Sequence, residues 1–153
     1  MAPYRHYSSK DELLAAVAEE GFKDLAQAMD SSIDLFGDPQ YRLRAFVRTY
    51  LTFALGNRAL YRLMFGADLQ NRSRFSRLVA ASQECCSRCV SVVAPEVDPD
   101  GKERCLPRKA IATWSFAHGL ASLALDGLVE FPQISNPKFS HELDQLLAAT
   151  DLT

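Results

Sequence analysis

The sequence has 153 residues, 48% hydrophobic and 24% charged, with a formal net charge of −2. That size and balance fit one globular domain with its own core. They exclude a basic footprint for nucleic acid over the chain as a whole, and no apolar run approaches the ~20 residues of a membrane-spanning helix.

The first residues carry no apolar run of the signal-peptide kind. Four cysteines without an export signal point to reduced thiols and a cytoplasmic protein. Ser9 and Glu12 form an S-x-x-E capping box, which predicts a helix start. That helix carries Leu14, Val17, Gly21, Leu25, Ala28 and Ser32 down one face, widened by Leu13, Phe22, Met29 and Ile33, and should stop near Phe36-Gly37. Asp38-Pro39 then reads as an N-cap followed by proline in the first turn. The second helix runs to about Leu55, Gly56-Asn57 breaks it, and a short helix spans Arg58 to Phe65. A longer helix follows from about Leu69 to Val93.

The stretch "PEVDPDGKERCLP" is a loop, too short to separate two domains. Pro107 to about Val129 is predicted helical, and a last amphipathic helix runs from Ser140 to Ala149 with Leu143, Leu146 and Leu147. No stretch shows sustained strand alternation, so the fold class is all-α, a bundle of about six helices. The fifth helix carries no charge between Ile111 and Leu125. One face holds Trp114, His118, Ala121 and Leu125; another holds Phe116, Leu120, Leu123 and Gly127. A helix apolar all round is buried on all sides, and the simplest cover for the second face is another copy of the chain. The expected interface takes Phe116, Leu120 and Leu123 with Leu143, Leu146 and Leu147, giving a homodimer built on the last two helices.

Three blocks resemble the tetracycline-repressor (TetR) family of transcriptional regulators. "APYRHYSSKDELLAAVAEEGF" resembles the joint between the recognition helix and the connecting helix. "FALGNRALYRLMFG" resembles the junction of the next helices, and "TWSFAHGLASLALDG" resembles the Trp-His-Gly (WHG) motif of one subgroup of C-terminal domains. The blocks stand in family order and cover nearly the whole chain. The resemblance implies a ligand-binding and dimerising domain over residues 9–153. It implies that residues 1–8 are a remnant of the DNA-reading head, whose helix-turn-helix would mostly precede Ala2. A recognition helix needs its partner helices to sit in the major groove, so operator DNA is expected as a partner only with those helices present.

The resemblance also places Tyr4, His6 and Lys10 against DNA phosphates, contacts that position a protein without reading sequence; a solvated helix start is the plain alternative. Phe46, Tyr50, Phe53, Tyr61, Phe65, Trp114 and His118 are candidates for a pocket between bundle helices, mostly apolar with few polar groups. Ordinary core packing is the alternative for each of them. Cys85, Cys86 and Cys89 lie on one helix, badly placed to surround a metal even with Cys105 or His118, so they read as structural thiols. His6, His118 and His141 are scattered, and no phosphate loop, G-x-S-x-G or H-E-x-x-H occurs, so no enzyme, metal or cofactor is expected. The arginines from Arg58 to Arg77 read as a solvated face. The expected function is ligand-responsive transcriptional regulation of repressor type, with an unidentified small hydrophobic effector and no membrane partner. The rival is a headless ligand-binding or dimerisation-partner protein without DNA binding.

Overall fold

The computed structural model describes residues 7–33, 38–67, 69, 71–93, 108–133 and 136–150. Six α-helices and one 3-10 turn make up the described architecture, with no strand among these residues. They are α1 (Lys10–Ile33), α2 (Pro39–Gly56), α3 (Arg58–Phe65), α4 (Ser76–Val93), α5 (Arg108–Leu125) and α6 (Pro137–Ala148), with the turn at Arg72–Arg74. The expected all-α bundle is therefore present. Its main packing partners are α1 with α4 and α2 with α5, while α3 closes against α1 and α6 lies on α2.

Local chemistry explains most of the helix ends. The Glu12 amide donates to Ser9 Oγ at 3.2 Å, and the Glu12 carboxylate accepts from the Ser8 amide at 2.7 Å. That bond holds the Glu12 carboxyl below its ordinary range. Asp38 caps α2 by accepting from the Gln40 amide, and Asn136 caps α6 by accepting from the Lys138 amide. Each cap precedes a proline, which has no N–H to leave unsatisfied in a first turn. The second of these Asx-Pro caps places the start of α6 three residues before the expected Ser140.

Two other boundaries differ from expectation. Helix α4 begins at Ser76 rather than Leu69, because Asn71 takes a left-handed conformation (φ 54°) and the 3-10 turn intervenes. Leu69 is buried all the same, so its apolar character signals an anchor and not a helical turn. Helix α5 ends at Leu125 rather than Val129. Gly127 has φ +71°, its amide donates to the Ala124 carbonyl, and the Leu128 amide donates to the Leu123 carbonyl at 2.9 Å. Those paired bonds are a Schellman ending, which a glycine in the left-handed region permits.

The core is formed by Phe22, Leu25 and Met29 of α1, Phe46, Val47, Tyr50 and Leu51 of α2, and Met64 of α3. It continues through Leu78, Cys85, Cys89 and Val92 of α4, Ala117 and Ala121 of α5, and Phe139, Leu143 and Leu147 of α6. The expected stripe on α1 is buried at Gly21, Phe22, Leu25, Met29 and Ser32 and departs only near the start, where Ala15 and Ala18 point inward and Val17 is 43% exposed. Small residues sit on both candidate faces there, so the positions of α2 and α4 decide which face is inside. A Cβ on Gly21 would lie 2.6 Å from Met64 Sδ and 2.9 Å from Leu60 Cδ1, so its bareness lets α3 approach α1.

The arginine run is not simply a solvated face. Arg74 pairs with Asp11 at 2.9 Å, Arg77 with Glu19 at 3.1 Å, and Arg88 with Asp30 at 3.4 Å, all three bridging α1 and the α4 segment. Mostly exposed pairs of this kind contribute about 0–1 kcal/mol each, so their main effect is to set the register of α1 along α4. Glu19 is buried, and the Lys23 ammonium at 2.6 Å, with Arg77, holds its carboxyl below the ordinary range.

Candidate functional site

A polar knot lies where α2, α3 and α5 meet. Tyr50 is fully buried on α2, and Tyr61 is buried on α3. Trp114 and His118 stand one turn apart on α5. The Trp114 indole N–H donates to Tyr50 Oη at 3.2 Å, and the two tyrosine hydroxyls share a hydrogen bond of 3.1 Å. His118 Nδ1 lies 2.6 Å from Tyr61 Oη and 3.0 Å from Tyr50 Oη.

Counting protons gives an arrangement in which the indole and both hydroxyls find partners. The indole and Tyr61 donate to Tyr50, and Tyr50 donates to an unprotonated His118 Nδ1. The His118 proton then resides on Nε2, which has no hydrogen-bond partner among the described residues. Electrostatics agree with this neutral imidazole. Burial holds the His118 pKa below its ordinary value. Burial also pushes Tyr61 up to about 12 and Tyr50 further still, so both phenols keep their protons.

An aromatic chain extends the knot toward α1. Tyr61 and Phe65 have ring centroids 4.8 Å apart, Phe65 and His118 also 4.8 Å, and Phe22 meets Phe65 edge-on at 5.3 Å. Phe65 and His118 line two cavities. The larger, about 530 Å³, is also lined by Phe22, Arg72, Ser82, Gln83, Cys86, Trp114 and Ser115. The smaller, about 340 Å³, adds Tyr61, Arg62, Gly66, Ser122, Leu125 and Asp126. The larger is in the size range of small-molecule sites, between bundle helices, with apolar walls and few polar groups.

The structure sorts the expected pocket residues into two groups. Phe65, Trp114 and His118 line the larger cavity, and Tyr61 lines the smaller. Tyr50 stands behind them as the hydrogen-bond hub. Phe46 and Phe53 are core residues that line neither cavity. Sequence reasoning missed Phe22, Arg72, Ser82, Gln83, Cys86 and Ser115. The available signal was the pair Ser82 and Cys86, one turn apart beside the apolar stripe of α4.

The expected interface residues divide as well. Leu143 and Leu147 are buried in this chain's own core, because α6 lies on α2, and they are not free to meet a partner. Phe116, Leu120 and Leu146 are partly exposed, and Leu123 is 41% exposed. Phe116, Leu120 and Leu123 share one face of α5 that the described residues cover only in part, while Ile111, 44% exposed, lies on the opposite side of the helix. Cys85 and Cys89 are buried and Cys86 borders the cavity, while Cys105 lies outside the described residues. Burial pushes the Cys86 thiol up. Among the described residues, no three His, Cys, Asp or Glu side chains are grouped to hold a metal, and no helix is long and apolar enough to cross a membrane. Tyr4 and His6 lie outside the described residues, and Lys10 is exposed at the first turn of α1.

Comparison with known proteins agrees with this architecture. The chain is 30% identical over 87 residues to the HTH-type transcriptional activator FasR of Mycolicibacterium smegmatis. That match takes in 57% of this chain and 40% of the FasR length, so the chain spans well under half of its relative. No solved structure matches it. Residues 43–146, which take in most of α2 through α6 and every residue lining the two cavities except Phe22, match the family described as "Tetracyclin repressor-like, C-terminal domain", and the chain therefore belongs to that family.

Proposed function

We propose that this chain is the effector-binding and dimerising part of a ligand-responsive transcriptional regulator. The observation that carries the reading is Phe22. It belongs to α1, the 24-residue helix that would lead to a DNA-reading head, and its ring forms part of the wall of the 530 Å³ cavity. At ~1.5 Å per residue α1 is a lever of about 36 Å. A ligand wedged between Phe22, Phe65 and Trp114 interacts differently with two packings of α1. That differential affinity is the only means by which a ligand shifts such an equilibrium. In a dimer, tilting two levers changes the separation of two heads, which must match half-sites about one DNA turn apart. Ligand and DNA then affect each other's affinity reciprocally.

The partly covered outer face of α5 supports the dimer, with Phe116, Leu120 and Leu123 meeting their counterparts about a two-fold axis. The mycobacterial relative is an activator, which favours neither sense of regulation for this chain. The polar knot suits binding: its imidazole is neutral and its phenols are protonated.

The test uses N-phenyl-1-naphthylamine, an apolar fluorophore, with the full chain. Trp114 is the single tryptophan and lines the cavity, so energy transfer from it reports occupancy of this site. Bound probe should give transfer and should slow backbone hydrogen exchange around Phe22 in α1. Absence of transfer rejects the pocket, and transfer with unchanged exchange in α1 rejects the lever.

A further inference from the structure

The larger cavity contains a cation that no acidic side chain among the described residues neutralises. Arg72 sits in the 3-10 turn between α3 and α4, partly buried, with its guanidinium carbon 6.0 Å from the centroid of the Phe22 ring. One of its nitrogens donates to the Met64 carbonyl, which fixes the side chain against the end of α3. No carboxylate pairs with it among the described residues, and no acidic side chain lines the cavity. The other arginines around it contrast with this. Arg62, on the smaller cavity, pairs with Asp126 at 3.2 Å, and Arg74, two residues on, pairs with Asp11. A guanidinium has five donors in a fixed fork, and the bond to Met64 occupies one of them. Around the cavity, Ser82, Gln83, Ser115 and the free Nε2–H of His118 add neutral hydrogen-bonding groups, while Phe22, Phe65 and Trp114 supply flat apolar walls.

We propose that the effector is an amphiphile with one anionic head, held by Arg72, and an apolar body packed on Phe22, Phe65 and Trp114. This inference rests on the pocket reading above and adds the charge of the ligand to it. Arg72 joins the turn before α4 to the Phe22 wall of α1, so an anion drawn to it acts where the two helices meet. A partly desolvated guanidinium favours an oxyanion over a neutral polar group through charge-assisted hydrogen bonds.

Two probes with the same ring skeleton separate the claims. 1-Anilinonaphthalene-8-sulfonate is anionic, and N-phenyl-1-naphthylamine lacks the sulfonate. Binding of each to the full chain is read by energy transfer from Trp114. Arg72→Met should weaken the anionic probe by roughly 10- to 100-fold, the range of a hydrogen bond to a charged group, and leave the neutral probe within about twofold. Arg72→Lys should recover part of the loss. Because Arg72→Met also removes the bond to Met64, a second variant, Gln83→Glu, adds a negative charge to the cavity wall with Arg72 intact. It should weaken the anionic probe and spare the neutral one. Equal effects on both probes, or none, in Arg72→Met and Gln83→Glu overturn the anionic-head proposal while the pocket stands. Failure of both probes to accept energy from Trp114 in the unsubstituted chain overturns the pocket and this inference with it.

Discussion

Removing one hydroxyl from the polar knot should cost more than removing the other, although both belong to buried tyrosines. Tyr50 Oη is the acceptor for the Trp114 indole N–H at 3.2 Å and lies 3.1 Å from Tyr61 Oη. In Tyr50→Phe the indole loses its acceptor, and Tyr61 loses one of its neighbours. Leaving a buried donor without a partner costs about 1–3 kcal/mol. Trp114 is only partly buried, which puts the expected loss at the lower end, about 1–2 kcal/mol. In Tyr61→Phe the outcome differs, because Tyr50 Oη already lies 3.0 Å from His118 Nδ1. The Tyr50 proton stays directed at the imidazole and Tyr50 still accepts from the indole, so the three remaining side chains of the knot keep their partners. The expected cost is then about 1 kcal/mol or less, that of one net hydrogen bond. Urea unfolding followed by Trp114 fluorescence measures both losses, at one fixed protein concentration because a dimer's stability depends on it. A Tyr61→Phe loss equal to or larger than the Tyr50→Phe loss would falsify the assigned proton order.

The knot also predicts a pH dependence. Burial lowers the His118 pKa from its ordinary 6.5, so the unfolded chain binds the proton first as pH falls. Stability from this group is complete above about 6.5, declines as pH drops through that value, and levels off below the folded-state pKa. His118→Gln should remove this step in a plot of urea midpoint against pH. A second decline at more acid pH should survive in it, because Glu12 and Glu19 are held below 4.5 and give up their stabilisation as they protonate; loss of both steps together would refute the assignment. Gly21→Ala forces a Cβ within 2.6 Å of Met64 Sδ. Overpacking of about 1–3 kcal/mol should outweigh the gain in helix propensity of about 0.5–1 kcal/mol. Met64→Ala in the same chain should cost less on the Gly21→Ala background than alone, and additive thermal-denaturation losses would remove the proposed α1–α3 contact. Leu120→Glu should convert a dimer to a monomer in light scattering without loss of helicity by circular dichroism, and an unchanged mass would eliminate the outer face of α5 as the interface.

Helix existence, type and order were legible because they rest on local chemistry. The Ser9–Glu12 box, the Asp38-Pro39 cap, the Gly56-Asn57 break and the 3.6-residue period act within a few positions of one another. That Trp114 and His118 share one face of α5 was legible because residues four apart stand one turn apart; that Phe65 of α3 joins them in lining the larger cavity was not. The rest needed neighbours distant in the chain. Ala15 and Ala18 face inward while Val17 does not, because α2 and α4 select between two nearly equivalent faces of α1. Leu143 and Leu147 are core, while the partly exposed Leu146 keeps an outward aspect, because α6 lies on α2. Arg72 borders a cavity with Cys86 and Ser115 because Asn71 turns the backbone after α3 and brings α4 back along α1. That it has no acidic partner among the described residues is invisible in a sequence where other arginines stand nearby. Periodicity and capping determine which segments are helical; burial, pairing and cavity walls are properties of two surfaces meeting, and only the packed bundle decides which surfaces meet.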